Sequence, residues 1–509
     1  MRAAPPGARV SRVLLLSALL IATCGLIYEL VAGALASYLL GNSITQFSLI
    51  IGVYLSAMGL GSYLSKSIDR GLLARFVEIE VAVALLGGFE APALFAAYTW
   101  TEGFKVLLFS LVGLIGVLVG LELPLLMRIL EKQTSLKELV ARVLFLDYIG
   151  ALVASLLFPL LLVPHLGLLR TSIAFGLLNA GVALWTTFLF EAPRPVIWRL
   201  RALSGGALAV LAVGMALAGQ AERAMESHLF ADAVVHRQVT PYQRIVVTHH
   251  EGDTRLFLDG ALQFSTADEY RYHEALVHPA MAAANHPRRV LVLGGGDGLA
   301  VREILRHPEV VEVVLVDLDP AMTGLFRDRE DFASLNAFSL RDARVTVIND
   351  DAFTWLRERQ GAPFDVAIVD FPDPNNYSLG KLYTTHFFRL LARQLTPDAV
   401  AAIQSTSPMF SPDAYWCVVA TVESEGFVTR PYHAYVPSFG EWGFVLFAPQ
   451  RIGPFRPLPP GLRFLDAAGL EGLFHFPPDL SRRAQPANRL DNQVLVRLYE
   501  QDWREVQGL

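Results

Sequence analysis

Between Arg289 and Pro320 the chain reads RVLVLGGGDGLAVREILRHPEVVEVVLVDLDP. A short apolar run, Val290–Leu293, breaks into Gly294, Gly295, Gly296, Asp297 and Gly298. Ala300, Val301, Ile304 and Leu305 then recur at helical spacing, and a second apolar run ends at Asp317. Glycines allow a sharp turn and a close approach of ligand to backbone, while the helix that follows offers free N–H groups. Asp317 stands 20 positions beyond Asp297, where a carboxylate closing the second strand can grip a ribose diol. Strand, turn, helix, strand and acid in this order predict a nucleoside-binding Rossmann-like unit. Asp297 sits inside the turn, within reach of a ligand's ammonium group or cationic tail. Asp is also a ready cap for the helix behind it, and both readings stand at this point.

Hydrophobic residues make up 53% of the chain and charged residues only 18%. Long, weakly charged runs fill the first 220 positions, and the remainder reads like an ordinary α/β protein large enough to bury its own core. Seven stretches approach the ~20 residues that a bilayer core demands: 13–40, 44–65, 76–98, 104–127, 143–163, 168–190 and 203–219. Gly52, Gly59 and Gly61, and again Gly113, Gly116 and Gly120, recur at spacings that let helices pack closely in lipid. Alternate connections carry Arg2, Arg9 and Arg12, then Lys66, Arg70 and Arg75, then Arg128, Lys132, Lys137 and Arg142, then Arg194, Arg199 and Arg201. The intervening ones carry Lys105 and Arg170. This asymmetry predicts a multi-pass protein of the cell (inner) membrane with a cytoplasmic N-terminus, the lipid bilayer being a partner. Seven full spans would put the second half of the chain on the opposite face. A half-span at 203–219, re-entrant or lying along the surface, would keep it in the cytosol. Glu29, Glu78, Glu80, Glu90, Glu122 and Asp147 fall in or near the spans. Such acids either pair with cations or stay protonated, or they line a path for protons or polyamines.

Other classes are disfavoured. Cys24 and Cys417 make neither a disulfide framework nor a zinc site, and the 12 His form no metal-binding spacing, so no metal is expected. A net charge of −6 without a basic, aromatic-interleaved patch argues against nucleic acid.

From 231 to 261 the pattern is of β-hairpins: Val234–Val239, Gln243–His249 and Thr254–Leu258, with turns at Glu251-Gly252-Asp253 and Asp259-Gly260. A helix over Asp268–Ala284 follows. Further strands at Val345–Ile348, Val366–Val369 and Val400–Gln404 end in polar residues, at the side of the sheet where ligands bind. Asp350 and Asp351 follow the third strand, and Asp370 and Asp373 the fourth. With Asp297 and Asp317, six carboxylates converge on one crevice, where they repel each other until a cation relieves them. A polyamine or a sulfonium fits this crevice. A nucleotide phosphate does not, because no Lys or Arg accompanies the glycine turn.

YQRIVVT, LFLDGALQFSTADEYRYHEALVHPAM, VLVLGGGDG, VDLDP, NDDAF and VDFPDP, in this order, resemble the spermidine synthases (polyamine aminopropyltransferases), over residues 231–450. The multi-span N-terminal half resembles a bacterial membrane-bound branch of that family. The implied architecture is an all-α transmembrane bundle at 1–220, a small antiparallel β-hairpin substrate-binding domain at 221–285, an α/β Rossmann-like, methyltransferase-like catalytic domain at 286–450, and an extension at 451–509. The implied reaction moves the aminopropyl group of decarboxylated S-adenosylmethionine, a co-substrate and not a tightly bound cofactor, to putrescine or a related amine. The products are spermidine and methylthioadenosine, and the implied assembly is a homo-oligomer, a dimer.

Carried onto this chain, the resemblance makes Asp370 the general base and gives Asp373, helped by Tyr272, the ammonium end of the amine. Asp297 would anchor the aminopropyl ammonium, Asp317 the ribose hydroxyls, and Asp351 with Ala352 the adenine. Gln243 and His273 would line the nucleoside and amine sites. Asp350 reads as the cap of the helix starting at Ala352. Pro374–Leu382 reads as a lid over the site, and 451–509 suggests no chemistry. Phe371 and Pro372 between the two acids, Asn376-Tyr377, Leu299, and Phe439 through Trp442 depart from the family pattern. Most border the amine end, where Glu441 could meet the far amine of a long acceptor. Two other readings remain: an amine N-methyltransferase, and a polyamine transporter or sensor whose synthase-like domain only binds ligand.

Overall fold

The computed structural model describes residues 8–40, 43–100, 103–131, 135–189, 193–230 and 232–507; Arg2 and Lys132 of the basic connections lie outside them. The chain divides into two compact units, Met1–Ala231 and Asp232–Leu509.

The first unit is helical throughout its described length: α1 (Ala8–Leu40), α2 (Ser43–Leu64), α3 (Leu72–Gly88), α4 (Glu90–Trp100), α5 (Phe104–Leu130), α6 (Leu136–Leu157), α7 (Val163–Thr186) and α8 (Arg194–Leu229). Five stretches are long and apolar enough to cross a membrane: Leu15–Leu40, Ile44–Ser67, Phe104–Leu130, Lys137–Thr186 and Arg194–Glu222. The count departs from seven for local reasons. The expected span 76–98 is two helices of 17 and 11 residues, parted at Phe89 just after Gly87-Gly88. The expected spans 143–163 and 168–190 run together through a π-turn at Phe158–Leu162 and break only at Gly167. There φ is 71°, a left-handed value that glycine adopts without steric cost. Segment 203–219 belongs to the continuous 36-residue α8 and forms no half-span.

The interface of α2 and α5 follows from the small residues. A Cβ at Gly61 would lie 2.0 Å from the Val117 carbonyl oxygen, and one at Gly120 would lie 2.2 Å from that of Met58. Gly52, Gly59 and Gly113 have nothing within 4 Å of that position, so only part of the glycine pattern is used for packing.

The second unit opens with a four-stranded antiparallel meander, β1 (Ala233–Val239), β2 (Arg244–His250), β3 (Asp253–Leu258) and β4 (Ala261–Ser265). The sequence pattern misses β4, whose five residues pair with β3 across the Asp259-Gly260 turn. After the helix Glu269–Ala283 comes a seven-stranded sheet: β5 (Arg289–Gly294), β6 (Glu312–Asp317), β7 (Val345–Asn349), β8 (Phe364–Asp370), β9 (Leu395–Gln404), β10 (Val428–Val436) and β11 (Gly440–Ala448). Its order is β10-β11-β9-β8-β5-β6-β7. Strands β5 to β9 run parallel, β11 is antiparallel to β9, and β10 is antiparallel to β11.

Alternation along β5 shows why its apolar run is unbroken. Val290 and Val292 enter the core on one face of the sheet, while Leu291 and Leu293 enter the core on the other. All four are fully buried, as a parallel strand covered on both faces requires. From β5 the chain builds outward through β6 and β7 in one direction and through β8 and β9 in the other. The gap between β5 and β8 is therefore the topological switch point, where α/β sheets bind ligands at their carboxyl edge.

We expect Gly120→Ala to overpack the α2–α5 contact at a cost of about 1–3 kcal/mol, and Gly113→Ala to be neutral. The thermal unfolding midpoint of the full chain in detergent should fall for the first substitution only.

Candidate active site

Parallel pairing sets the geometry at the switch point. Gly294 at the end of β5 stands opposite Asp370 at the end of β8, and Asp317 at the end of β6 stands opposite Asn349. The turn after β5 then passes directly over both acids. A Cβ at Gly295 would lie 3.0 Å from Asp370 Oδ2, and one at Gly296 2.7 Å from the Asp317 carboxylate. The Gly296 N–H donates to Asp317 Oδ2 at 3.1 Å, and the Asp319 N–H donates to Oδ1 at 2.9 Å. Any side chain on this turn would push the acids apart.

Asp297 is buried, and its Oδ1 accepts the Leu299 N–H at 2.9 Å. Gly298 is the N-cap of the following helix, and Asp297 before it satisfies the helix's first N–H through one oxygen. Asp370 Oδ1 accepts the Tyr272 hydroxyl at 2.6 Å. Asp373 Oδ2 accepts the hydroxyls of Tyr499 at 3.0 Å and Thr406 at 3.2 Å, while Oδ1 is buried without a hydrogen-bond partner among the described residues. Tyr272, expected beside Asp373, thus serves Asp370 instead. One helical turn of the segment Glu269–Ala283 explains His273: its Nδ1 meets Glu269 Oε2 at 2.7 Å, and Arg302 grips that same carboxylate with two N–H groups at 2.9 and 3.0 Å. Gln243 Nε2 and the Thr240 hydroxyl both donate to Asp319 Oδ2, at 3.1 and 2.8 Å. This ties the β1–β2 turn to the end of β6, beside Asp317.

Three sequence assignments change. Asp351, not Asp350, caps the helix Ala352–Glu358, accepting the Thr354 N–H at 2.9 Å. Asp350 accepts the Asp351 N–H instead, which turns the backbone so that the second acid reaches the helix end. The other Asp351 oxygen pairs with Lys381 Nζ at 2.6 Å. Glu441, suggested for the far amine of an acceptor, has Oε1 2.5 Å from His433 Nδ1. Finally, the extension after 450 does carry chemistry. Tyr499 of the helix Val494–Gln507 supplies one hydroxyl to Asp373, and Asn488 Nδ2 donates to the carbonyls of Gly380 and Tyr383 below the expected lid. Within that segment Tyr377–Gly380 is a helical turn capped by Asn376. Gln404 and Tyr383, also unpredicted, brace the Phe371–Pro372 backbone from beneath: the Gln404 amide donates to the Phe371 carbonyl, and the Tyr383 hydroxyl to that of Pro372 at 3.0 Å.

The electrostatics follow from burial among like charges. Burial pushes Asp297, Asp317 and Asp373 up to about 6. At Asp297 the neighbouring Asp370 adds to the rise while His273 opposes it. Burial also raises Asp370, against the pull of His273 and the Tyr272 hydroxyl. Burial disfavours the His273 cation, but Glu269 outweighs it and raises that imidazole, so a positive edge faces Asp297 and Asp370. Asp351 goes the other way: burial acts against it, yet Lys381 and the Thr354 N–H hold it low. Burial thus raises all four of these acids, and a ligand bringing positive charge would favour their ionised forms.

Two outcomes test this. Asp373 is raised in the folded state, so the folded protein retains a proton that the unfolded chain releases above about 4. That contribution to stability is complete below about 4 and is lost as pH rises to about 6. The melting temperature of Asp373→Asn minus that of the unsubstituted protein should therefore climb between these two values and level off above them. Gly296→Ala should weaken nucleoside binding by about tenfold or more, because overpacking costs about 1–3 kcal/mol. Equilibrium binding of methylthioadenosine would measure it.

Residues 269–451 match the Spermine/spermidine synthase domain. A polyamine aminopropyltransferase of Leptospira interrogans is 52% identical over 97% of this chain and 99% of its own length. Polyamine aminopropyltransferase 2 of Ralstonia nicotianae is also 52% identical, over 98% and 99%. Polyamine aminopropyltransferase 1 of Streptomyces coelicolor is 44% identical over 97% and 94%. These alignments run through the helical first unit as well as the sheet. Among solved structures, a spermidine synthase from Thermotoga maritima is 23% identical over 48% of this chain and 85% of its own, with a TM-score of 0.43. At 52% identity across nearly the whole length of both proteins, the chain belongs to the spermine/spermidine synthase family and is an aminopropyltransferase.

Proposed function

We propose that this enzyme transfers the aminopropyl group of decarboxylated S-adenosylmethionine to putrescine or a related diamine, with Asp370 as general base. The observation that carries the reading is Asp370 itself, at the switch point, under the glycine turn and hydrogen-bonded to Tyr272. A protonated amine cannot attack. Asp370 takes the proton from the amine nitrogen as its lone pair forms the new N–C bond to the aminopropyl carbon. The C–S bond breaks with its electrons going to sulfur, so the sulfonium leaves as neutral methylthioadenosine. Asp373, steadied by Tyr499 and Thr406, holds the distal ammonium of the acceptor. The free oxygen of Asp297 anchors the aminopropyl ammonium, Asp317 takes the ribose hydroxyls, and Asp351-Ala352 border the adenine. Gln243 reaches this nucleoside end through Asp319, and His273 supplies positive potential behind Asp297. Rate enhancement comes from holding these charges in place before the reaction starts.

The retained Asp297 argues for the decarboxylated co-substrate. The extra carboxylate of S-adenosylmethionine would meet a like charge there, which weighs against the methyltransferase reading. Around the acceptor end, Phe439 packs 6.0 Å from the Tyr272 ring and 5.0 Å from Trp442. An aromatic wall of this kind suits the methylene chain of a diamine. The five apolar stretches and the basic residues on alternate connections support a multi-pass protein of the cell membrane. The dimer implied by the family resemblance is part of the same reading.

The test is a product assay with decarboxylated S-adenosylmethionine and putrescine, cadaverine or spermidine. Methylthioadenosine should form with a preferred amine, and Asp370→Asn should lower kcat by about 10²–10⁴-fold. Undiminished turnover in that variant would remove Asp370 from the base role. Binding without turnover by any of the amines would favour the sensor.

A further inference from the structure

The first unit contains a second acidic site that aminopropyl transfer does not use. Glu80 lies mid-way along α3 and Glu122 in the second half of α5. Both are buried (0% and 1% exposed), and all four carboxyl oxygens lack a hydrogen-bond partner among the described residues. The two acids lie within electrostatic reach of each other. Protonation would remove the charges but leave each carboxyl with an unpaired donor and unpaired acceptors. Buried polar groups left in this state are costly and rare, more so in an apolar bundle.

Two neutral buried groups, Tyr28 and Asn179, are unpartnered among the described residues as well. The Tyr28 hydroxyl of α1 is fully buried, has no partner among the described residues, and lies within electrostatic reach of Glu122 and Glu80. Its ring lies over Gly87, where a Cβ would come within 2.6 Å. Asn179 of α7 is likewise fully buried with both amide atoms unpartnered. Its level follows from the antiparallel contact of α3 and α7. The Ser172 hydroxyl donates to the Gly88 carbonyl at 3.0 Å, and a Cβ at Gly176 would lie 2.7 Å from that of Ala84. One turn further along both helices brings Asn179 level with Glu80. Two carboxyls and a phenol thus lie within electrostatic reach of one another, and an unpartnered amide stands at the level of Glu80, offering acceptors for N–H donors.

We propose that Glu80, Glu122, Tyr28 and Asn179 form an intramembrane binding site for an ammonium group of a polyamine. An organic ammonium would bring N–H donors for these unpartnered oxygens together with the positive charge that lets two buried acids ionise. A ligand with several ammonium groups fits better than a monoamine. Glu90, in the first turn of α4, is 1% exposed with Oε2 unpartnered, and Tyr54 lies within electrostatic reach of both Glu122 and Glu90. The bundle therefore offers a second anionic point beyond the break between α3 and α4. This inference rests on the membrane reading and not on the chemistry assigned to Asp370.

The experiment uses the full chain in nanodiscs of phosphatidylcholine and phosphatidylglycerol, lipids without a primary ammonium group, and radiolabelled spermidine as probe. Asp370→Asn with Asp373→Asn first weakens the site in the second unit. In that background saturable spermidine binding should persist. Adding Glu80→Gln and Glu122→Gln, or Asn179→Ala alone, should weaken it by about tenfold or more, the scale of a lost hydrogen bond to a charged group. Glu80→Gln/Glu122→Gln in the otherwise unchanged chain should still release methylthioadenosine at the original rate, which reports that the variant is folded. The absence of saturable binding in the Asp370→Asn/Asp373→Asn chain would overturn the site. So would binding there that is indifferent to Glu80, Glu122 and Asn179. Loss of transfer activity in Glu80→Gln/Glu122→Gln would do the same, by giving these acids a structural role.

Discussion

Negative charge held close together without a counter-charge is the constraint around which the second unit is arranged. Asp317 and Asp370 end up at one edge of the sheet because parallel pairing aligns the strand ends, and the glycines of the turn that carries Asp297 pass over them. Water is largely kept away from them, so each carboxyl is less willing to ionise than it would be in solution. The surrounding hydrogen bonds distribute this burden unevenly. Tyr272 steadies Asp370, Tyr499 and Thr406 steady Asp373, and backbone N–H groups steady Asp317. His273, whose imidazole Glu269 raises and whose partner carboxylate Arg302 also grips, lies within electrostatic reach of Asp297 and Asp370. A dication entering this edge supplies what the fold withholds, and selectivity for cationic ligands follows from the empty protein's own electrostatic strain.

The two units solve burial differently. In the sheet, apolar side chains alternate between two covering layers, so a strand can be hydrophobic at every position and still specify its register. In the helical unit close contact between helices comes from shape. Gly61 and Gly120 let α5 lie directly on α2, while Gly88 and Gly176 do the same for α3 and α7. Breaks at Phe89 and Gly167 interrupt two of the helical stretches. The break at Phe89 lies beside the buried Glu90, and a broken helix leaves backbone polar groups that neighbouring groups must satisfy.

What could be read from the sequence was whatever local pattern determines. The strand–turn–helix unit, the acids at strand ends and the family resemblance all depend on residues near one another in the chain. Asp297, Asp317, Asp370 and Asp373 do gather where the pattern put them. The errors were of another kind. Choosing between Asp350 and Asp351 as the cap turns on a single backbone torsion, which two adjacent acids cannot announce. Assigning Tyr272 to Asp373 instead of Asp370 required knowing how far the helix Glu269–Ala283 advances over the sheet. Tyr499 was invisible because its partner is 126 residues away and its neighbours, LYEQDW, look like any amphipathic helix. The helix break at Phe89 and the kink at Gly167 escaped notice because glycine and proline let an apolar run hold a break without a polar signal.

The hydroxyl of Tyr499 and the amide of Asn488 have a consequence for how the enzyme comes into being. The second acid of the site and the backbone beneath its neighbouring helical turn are both braced by residues translated after the whole sheet has been made. A nascent chain can therefore build its helices, close its sheet and gather its aspartates while the amine end still lacks two of its supports. The support that Tyr499 gives Asp373 is thus made by a segment translated after the sheet whose edge carries that acid.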